Sequence, residues 1–596
     1  MRVGSPSIQN TSFSLRSSIQ PKQKPVVQLT AMIDLFIRSD RNQTLLQSQP
    51  VMVLVRFARR VTTWPWLTMA LVGLALLSSL LLPLNLLSTQ RFHHDEALYA
   101  TWALEIASGH NPLLQQTSID KPPLFLYAAA GAMWLLGATE TAARLPSLLA
   151  TVATVGLTFG LGRKLYGPGV GILAAWLVAL SPFTILFAPT AFTDPPLVAL
   201  VLAACLAAAY GRAGWAGVGL GLAIATKQQG VFFIPLVLGI LACIKSTDRS
   251  PEENLPRSFP GLRCLISPPR SGSQRLSRLT RTVSRLLPDV VWLLVSLTLT
   301  LLPAFIWDGW RLQAPGFWRQ SLINYGQLAA DASSFGERWS GFVELLQYGA
   351  ASPLLNLIFL IGAPLLLGYS YQLVQLPTTR AQSTALGQTR LNWLLLLFGL
   401  TFLLGHAVFP FQVWDRYLLG LIPLLALLLA RILLLPWSIF ETHWPGRPVE
   451  IKPLVKLTAG LSLGVVVMLA MARPVQEAAN ARYPLGSNSN ALHGIEQVTA
   501  YLQGNIGADT TLYHRWLGPH WRFYLAGYPY DLQYWPSAQA LAGQARPGHL
   551  IAFPSWQSDT EARLALAEAG LKLQELMRAY HPAGYPSLIL YRIEAK

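Results

Sequence analysis

Asp95 and Glu96 stand side by side in the run HHDEALYA, and Asp120 and Lys121 stand together ahead of Pro122 and Pro123. Farther on, Asp194 precedes a second Pro-Pro pair, Lys227 completes ATK, and Arg416 follows Asp415 in DRYLLG. Carboxylates and cations at the ends of apolar runs suit the transfer of a sugar from a lipid phosphate to a hydroxyl at a membrane surface. The acceptor needs a base for its proton, and the leaving phosphate needs positive charge. Asp95 and Glu96 stand where such a base would be, and partial desolvation near a bilayer raises a carboxyl pKa. Lys121, Lys227 and Arg416 could hold a phosphate or pyrophosphate. His93 and His94 could join a carboxylate on a metal, although neighbouring histidines point different ways on a regular element.

Each of these residues also has a plainer reading. Asp95 and Glu96 fit the first turn of a helix, where acids favour the macrodipole. Asp194 fits a helix start with prolines in its first turn. Lys121, Lys227 and Arg416 fit interfacial anchors whose stems lie along apolar surface. What favours chemistry is that one topology brings all of them to the same side.

The elements that would position these residues are membrane helices. The chain is 52% hydrophobic and only 12% charged, and it holds many apolar runs near the roughly 20 residues that a bilayer crossing needs. The net charge of +17 comes with arginines gathered in the loops between those runs. That is a positive-inside pattern and argues against a nucleic-acid partner. Three cysteines give no disulfide framework or cysteine-based zinc site.

Residues 1–55 are polar and patternless and are expected to form a disordered cytoplasmic tail. Arg56, Arg59 and Arg60 then hold the start of the first crossing, about 64–87, inside. The loop 88–122 is therefore outside, with a short helix from Glu96 to Ser108 stopped by Gly109. Further crossings are expected near 143–163, 170–188, 195–210, 213–226, 230–245, 289–307, 346–374, 391–409, 417–435 and 454–472. Arg163 and Lys164 mark a cytoplasmic turn, so the short apolar run 122–137 must be re-entrant or surface-lying. On this parity Asp194, Lys227 and Arg416 share the face of Asp95. The fold expected is an all-α polytopic membrane protein of about 11 crossings, with a catalytic region over 56–473. Within it, 246–288 is a basic cytoplasmic loop and 308–345 a second outer loop. Residues 474–596 read as a small extracytoplasmic α/β domain, with strands at 510–514, 549–553 and 586–591 and a helix at 560–570.

HDEALYA followed by DKPPLFLY resembles the first outer loop of the GT-C glycosyltransferases, with closest likeness to glycosyltransferase family 39 and the lipid A aminoarabinose transferases. ARLPSLLA, LGRKLYG, the segment around Asp194, ATKQQG and DRYLLGLIPLLALLLA extend the resemblance over roughly 90–430. It implies a polyprenyl-phosphate sugar donor and no nucleotide. Asp95 takes the place of the presumed base, with Glu96 beside it, and Asp194 that of a second acid. Lys121 and Lys227 take the places of lysines associated with the donor phosphate. Some members bind a divalent metal through the acid before KPP, here Asp120, and a histidine of the second outer loop. Residues 308–345 contain no histidine, though Asp331 or Glu337 could substitute. The acceptor stays open between protein, lipid and glycan. A transporter or flippase of a lipid-linked sugar is the alternative, although no internal repeat supports it.

Overall fold

The computed structural model describes residues 65–247, 272–311, 315–325, 333–374, 380–443, 452–486, 492–505, 507 and 510–596. The chain divides into a small unit, 1–64 with 446–461, and a large one, 65–445 with 462–596. The described part of the small unit is the beginning of one helix. The expected N-terminal tail, most of the basic loop and Asp331 lie outside the described residues.

Eight helices among the described residues are long and apolar enough to cross a membrane: Pro65–Thr89, Glu140–Tyr166, Gln228–Ser246, Leu286–Trp310, Pro353–Gln372, Leu386–Val408, Asp415–Leu433 and Leu457–Ala479. Four apolar helices are shorter, at Pro123–Leu136, Pro168–Ala179, Asp194–Ala209 and Ala213–Thr226. All eleven expected crossings are therefore helices, but three of them fall below spanning length. The run expected at 170–188 stops because Ser181 turns the chain and Pro182 starts a new helix, Pro182–Phe187. Pro123–Leu136 has 14 residues, about 21 Å at 1.5 Å per residue against a hydrocarbon core of about 30 Å.

Two expected loops hold helix among their described residues. The helix Gly272–Trp310 begins inside the basic stretch, carrying arginines before its apolar part. The stretch 308–345 holds the helices Phe317–Asn324 and Phe335–Leu346. The boundary placed at residue 473 falls within the helix Lys452–Ala479.

Glycines bring helices together where the site needs them. A Cβ on Gly221 would meet Thr300 Cβ at 2.7 Å, so the helix Ala213–Thr226 lies close against Gly272–Trp310. Its end then delivers Lys227. Gly109, at φ +75°, adopts the left-handed backbone that stops the helix His94–Ala107.

The C-terminal domain has a five-stranded sheet of order β2-β1-β3-β5-β4, with β1 Thr511–His514, β2 Asp531–Tyr534, β3 Leu550–Pro554, β4 Leu571–Tyr580 and β5 Pro586–Ala595. β1 is parallel to β2 and β3, while β5 is antiparallel to β3 and β4. Both faces are covered. Leu512, Trp521 and Leu550 pack on one, and Tyr513, Phe553 and Leu566 on the other. The expected strands and the helix at 560–568 are present; β2 and β4 were not expected.

Candidate active site

The helix His94–Ala107 sets the site's geometry. His93 is its N-cap: His93 Nδ1 accepts the Asp95 N–H at 3.1 Å, and Glu96 Oε2 accepts the His93 N–H at 2.9 Å. This reciprocal capping box fixes the first turn. Because a helix advances about 100° per residue, the two adjacent carboxylates diverge. Glu96 turns inward and is fully buried, with Oε1 accepting Arg144 Nε at 3.2 Å and the Ala191 N–H at 2.8 Å. Asp95 turns the other way, where Oδ2 accepts Arg416 Nη2 at 2.7 Å, and its side chain stays 27% exposed.

Lys227 and Lys121 are paired with carboxylates as well. Lys227 Nζ lies 2.6 Å from Asp194 Oδ1, with both side chains buried. Lys121 Nζ lies 2.6 Å from Asp120 Oδ2, which also accepts Asn324 Nδ2 at 3.1 Å. Two tyrosines draw the cations together. Lys227 Nζ is 4.8 Å and the Arg416 guanidinium 5.9 Å from the Tyr417 ring. The Tyr417 hydroxyl meets that of Tyr325 at 3.3 Å, and Lys121 Nζ is 5.9 Å from the Tyr325 ring. Three cations thus converge on one tyrosine pair beside Asp95. The buried Arg416 Nε has no hydrogen-bond partner among the described residues, which leaves that edge of the guanidinium able to donate.

Burial pushes the Asp95 carboxyl up, but the Arg416 guanidinium, His93 and Lys121 outweigh it and hold the group below its ordinary value. Such a carboxylate is ionised throughout the neutral range.

A metal does not fit the residues seen around Asp120. Its Oδ2 is taken up by Lys121 and Asn324, and among the described residues no group of three or more histidine, cysteine or acidic side chains could hold an ion. His93 Nδ1 is spent on the Asp95 N–H.

The C-terminal domain grips the segment just ahead of Asp95. The Phe92 carbonyl accepts the Leu492 N–H and His520 Nε2, each at 3.2 Å, and the Phe92 ring meets Phe523 edge-on at 4.9 Å. Thr101 Oγ1 donates to Pro519 O at 2.8 Å, and the Tyr524 hydroxyl bonds Glu140, which also pairs with Arg91. Sequence reading missed Tyr325, Tyr417, Asn324 and this grip. DRYLLG holds Tyr417 in plain view, but nothing local marks it as the meeting point of three cations.

Against known proteins, residues 120–264 match the family profile described as dolichyl-phosphate-mannose-protein mannosyltransferase. That span contains Asp120, Lys121, Asp194 and Lys227. The structure of ArnT from Cupriavidus metallidurans bound to undecaprenyl phosphate superposes with a TM-score of 0.53 at 14% identity, over 88% of this chain and 97% of that one. This chain has the GT-C fold. The apo structure of the same ArnT gives a TM-score of 0.53 at 15% identity, over 89% of this chain and 98% of that one. The GT-C resemblance of HDEALYA and DKPPLFLY is thus matched by the fold of nearly the whole chain. No curated protein sequence matches it.

Proposed function

We propose that this chain is an integral-membrane glycosyltransferase that moves a sugar from a polyprenyl-phosphate donor to an acceptor hydroxyl. The observation that carries the reading is the convergence of Lys121, Lys227 and Arg416 on Tyr325 and Tyr417, beside a partly exposed Asp95. The cations would take the donor's phosphate, with the unpartnered Arg416 Nε–H as a ready donor. The GT-C fold, and an ArnT that binds undecaprenyl phosphate, support a lipid-linked donor.

In the reaction, the acceptor oxygen forms a bond to the anomeric carbon as its proton passes to Asp95. The anomeric carbon–oxygen bond breaks, and its electron pair leaves with the polyprenyl phosphate, stabilised by the three cations. Attack opposite the leaving group inverts the anomeric centre. Glu96 and Asp194 have supporting parts: Glu96 locks the first turn to Arg144 and Ala191, and Asp194 orients Lys227. The arginine-rich stretch 246–288 is expected on the opposite side, which supports an outer-face site in a bacterial inner membrane.

Purified protein in liposomes, given a polyprenyl-phosphate sugar and acceptor lipids, peptides or glycans, tests this. Release of polyprenyl phosphate with sugar on an acceptor supports it; movement of intact donor across the bilayer without cleavage makes the chain a flippase.

A further inference from the structure

Strand register places five exposed aromatic side chains along one edge of the C-terminal sheet. β1 and β2 end together, with His514 opposite Tyr534. β3 ends at Pro554, opposite Leu588 near the start of β5, and β4 ends at Tyr580, opposite Pro586. The segments after β1, β2, β3 and β4 therefore leave the sheet on the same side. These strand ends and the segments after them carry Trp516 (49% exposed), Tyr534 (56%), Trp556 (64%), Tyr580 (47%) and Tyr585 (54%). The Trp516 and Trp556 rings are 6.4 Å apart. Five strands at about 4.8 Å spacing make this row about 19 Å long. Among the described residues of the domain, only Tyr528 and Leu564 are comparably exposed large hydrophobics elsewhere.

The height of this edge follows from its contacts. Tyr585 stacks on His581 at 4.5 Å, His581 meets His493 at 4.7 Å, and His493 Nε2 lies 3.3 Å from Gln90 Oε1. Gln90 comes directly after the apolar helix Pro65–Thr89. Towards the other end of the row, after β1, Trp516 is three residues before Pro519, whose carbonyl accepts Thr101 Oγ1. Tyr524 bonds Glu140, the first residue of the apolar helix Glu140–Tyr166. Helix ends of this kind sit at the level of lipid headgroups, where tryptophan and tyrosine collect because one end of each ring system is apolar and the other polar. Arg515, stacked over Trp516 at 5.5 Å and Trp535 at 5.1 Å, has no acidic partner among the described residues and suits a lipid phosphate.

We propose that this edge of the sheet rests in the headgroup layer of the bilayer, on the side where the His94–Ala107 helix lies, with Trp516, Trp556, Tyr534, Tyr580 and Tyr585 as its contact row. Contact at both ends of the sheet would keep the domain level over the site that it grips at Phe92.

The test uses the full chain in nanodiscs of phosphatidylethanolamine and phosphatidylglycerol, with Cys243 and Cys264 changed to serine. A fluorophore is placed through Trp516→Cys, Trp556→Cys or Tyr585→Cys, with Leu564→Cys as the control. Nitroxide on the lipid headgroup should dim the three edge labels roughly two-fold or more and leave the Leu564 label nearly unchanged. Equal, weak quenching at all four positions, with free access to aqueous iodide, would overturn the proposal. Shielding of the edge labels from iodide only when a saccharide acceptor is added would also overturn it and make the row an acceptor platform.

Discussion

Asp95 Oδ2 and Arg416 Nη2 lie 2.7 Å apart, although 321 positions separate them in the chain. In the proposed reaction the pair joins the carboxylate that would accept a proton to a cation that would meet the phosphate. Arg416 Nε is unpartnered among the described residues, so the guanidinium can turn a second edge to an anion while Asp95 remains beside it.

Arg416→Gln should move the acid limb of kcat/KM to higher pH. Asp95 is held below its ordinary value, with Arg416 the first of the groups that lower it, so the base stays ionised to lower pH than an ordinary aspartate. Without the guanidinium its pKa rises, and activity is lost earlier as pH falls. A pH–rate profile of both proteins checks the direction.

Lys227→Met should destabilise the protein by about 3–5 kcal/mol, because it leaves the buried Asp194 carboxylate unpaired. Lys227→Met combined with Asp194→Leu should recover most of that stability, read as the melting temperature in detergent. Transfer should stay impaired in the double variant, since the phosphate loses a cation.

His520 links stability to pH. Burial lowers its pKa to about 3, so in the folded state it is neutral and donates Nε2–H to the Phe92 carbonyl. Its folded value lies below the unfolded value of about 6.5, so its contribution is fully present above about pH 6.5 and declines as pH falls towards 3. Thermal melts from pH 7 to pH 4 should show a steeper decline for the native chain than for His520→Gln, which keeps a donor without a titrating ring. His520→Ala should lower kcat more than it raises KM, because the segment leading to Asp95 loses its grip.

Glu96→Gln should lower kcat by weakening the contact to Arg144 and removing an acceptor from a backbone N–H. The acid limb should stay that of Asp95. A limb that disappears in Glu96→Gln but persists in Asp95→Asn would exchange the roles of the two carboxylates.

Much of this site could be read from residue types. Apolar run lengths locate the helices, Pro123 and Gly109 mark their ends, and Asp95, Lys121, Asp194, Lys227 and Arg416 stand out as charges in an apolar chain. Two adjacent acids do not reveal which one faces inward; that depends on where Arg144 and the Ala191 N–H arrive from distant segments. Tyr325 and Tyr417 look like any interfacial tyrosines until folding brings their hydroxyls together. β4, Leu571–Tyr580, lacks a strict alternation because a bulge between Glu575 and Met577 shifts its register. The grip on Phe92 is not legible in the sequence because the Phe92 carbonyl carries no residue signature and its partners Leu492, His520 and Phe523 come from the distant C-terminal domain.

The central claim is that Asp95 takes the acceptor's proton while the three cations hold the donor's phosphate. Single-turnover transfer by Asp95→Asn, in liposomes loaded with a polyprenyl-phosphate sugar, tests it most directly. Donor binding should persist while transfer falls by about 100-fold or more, the scale of a lost general base. Transfer at the native rate would contradict the account and return Asp95 to the role of a first-turn acid held by Arg416.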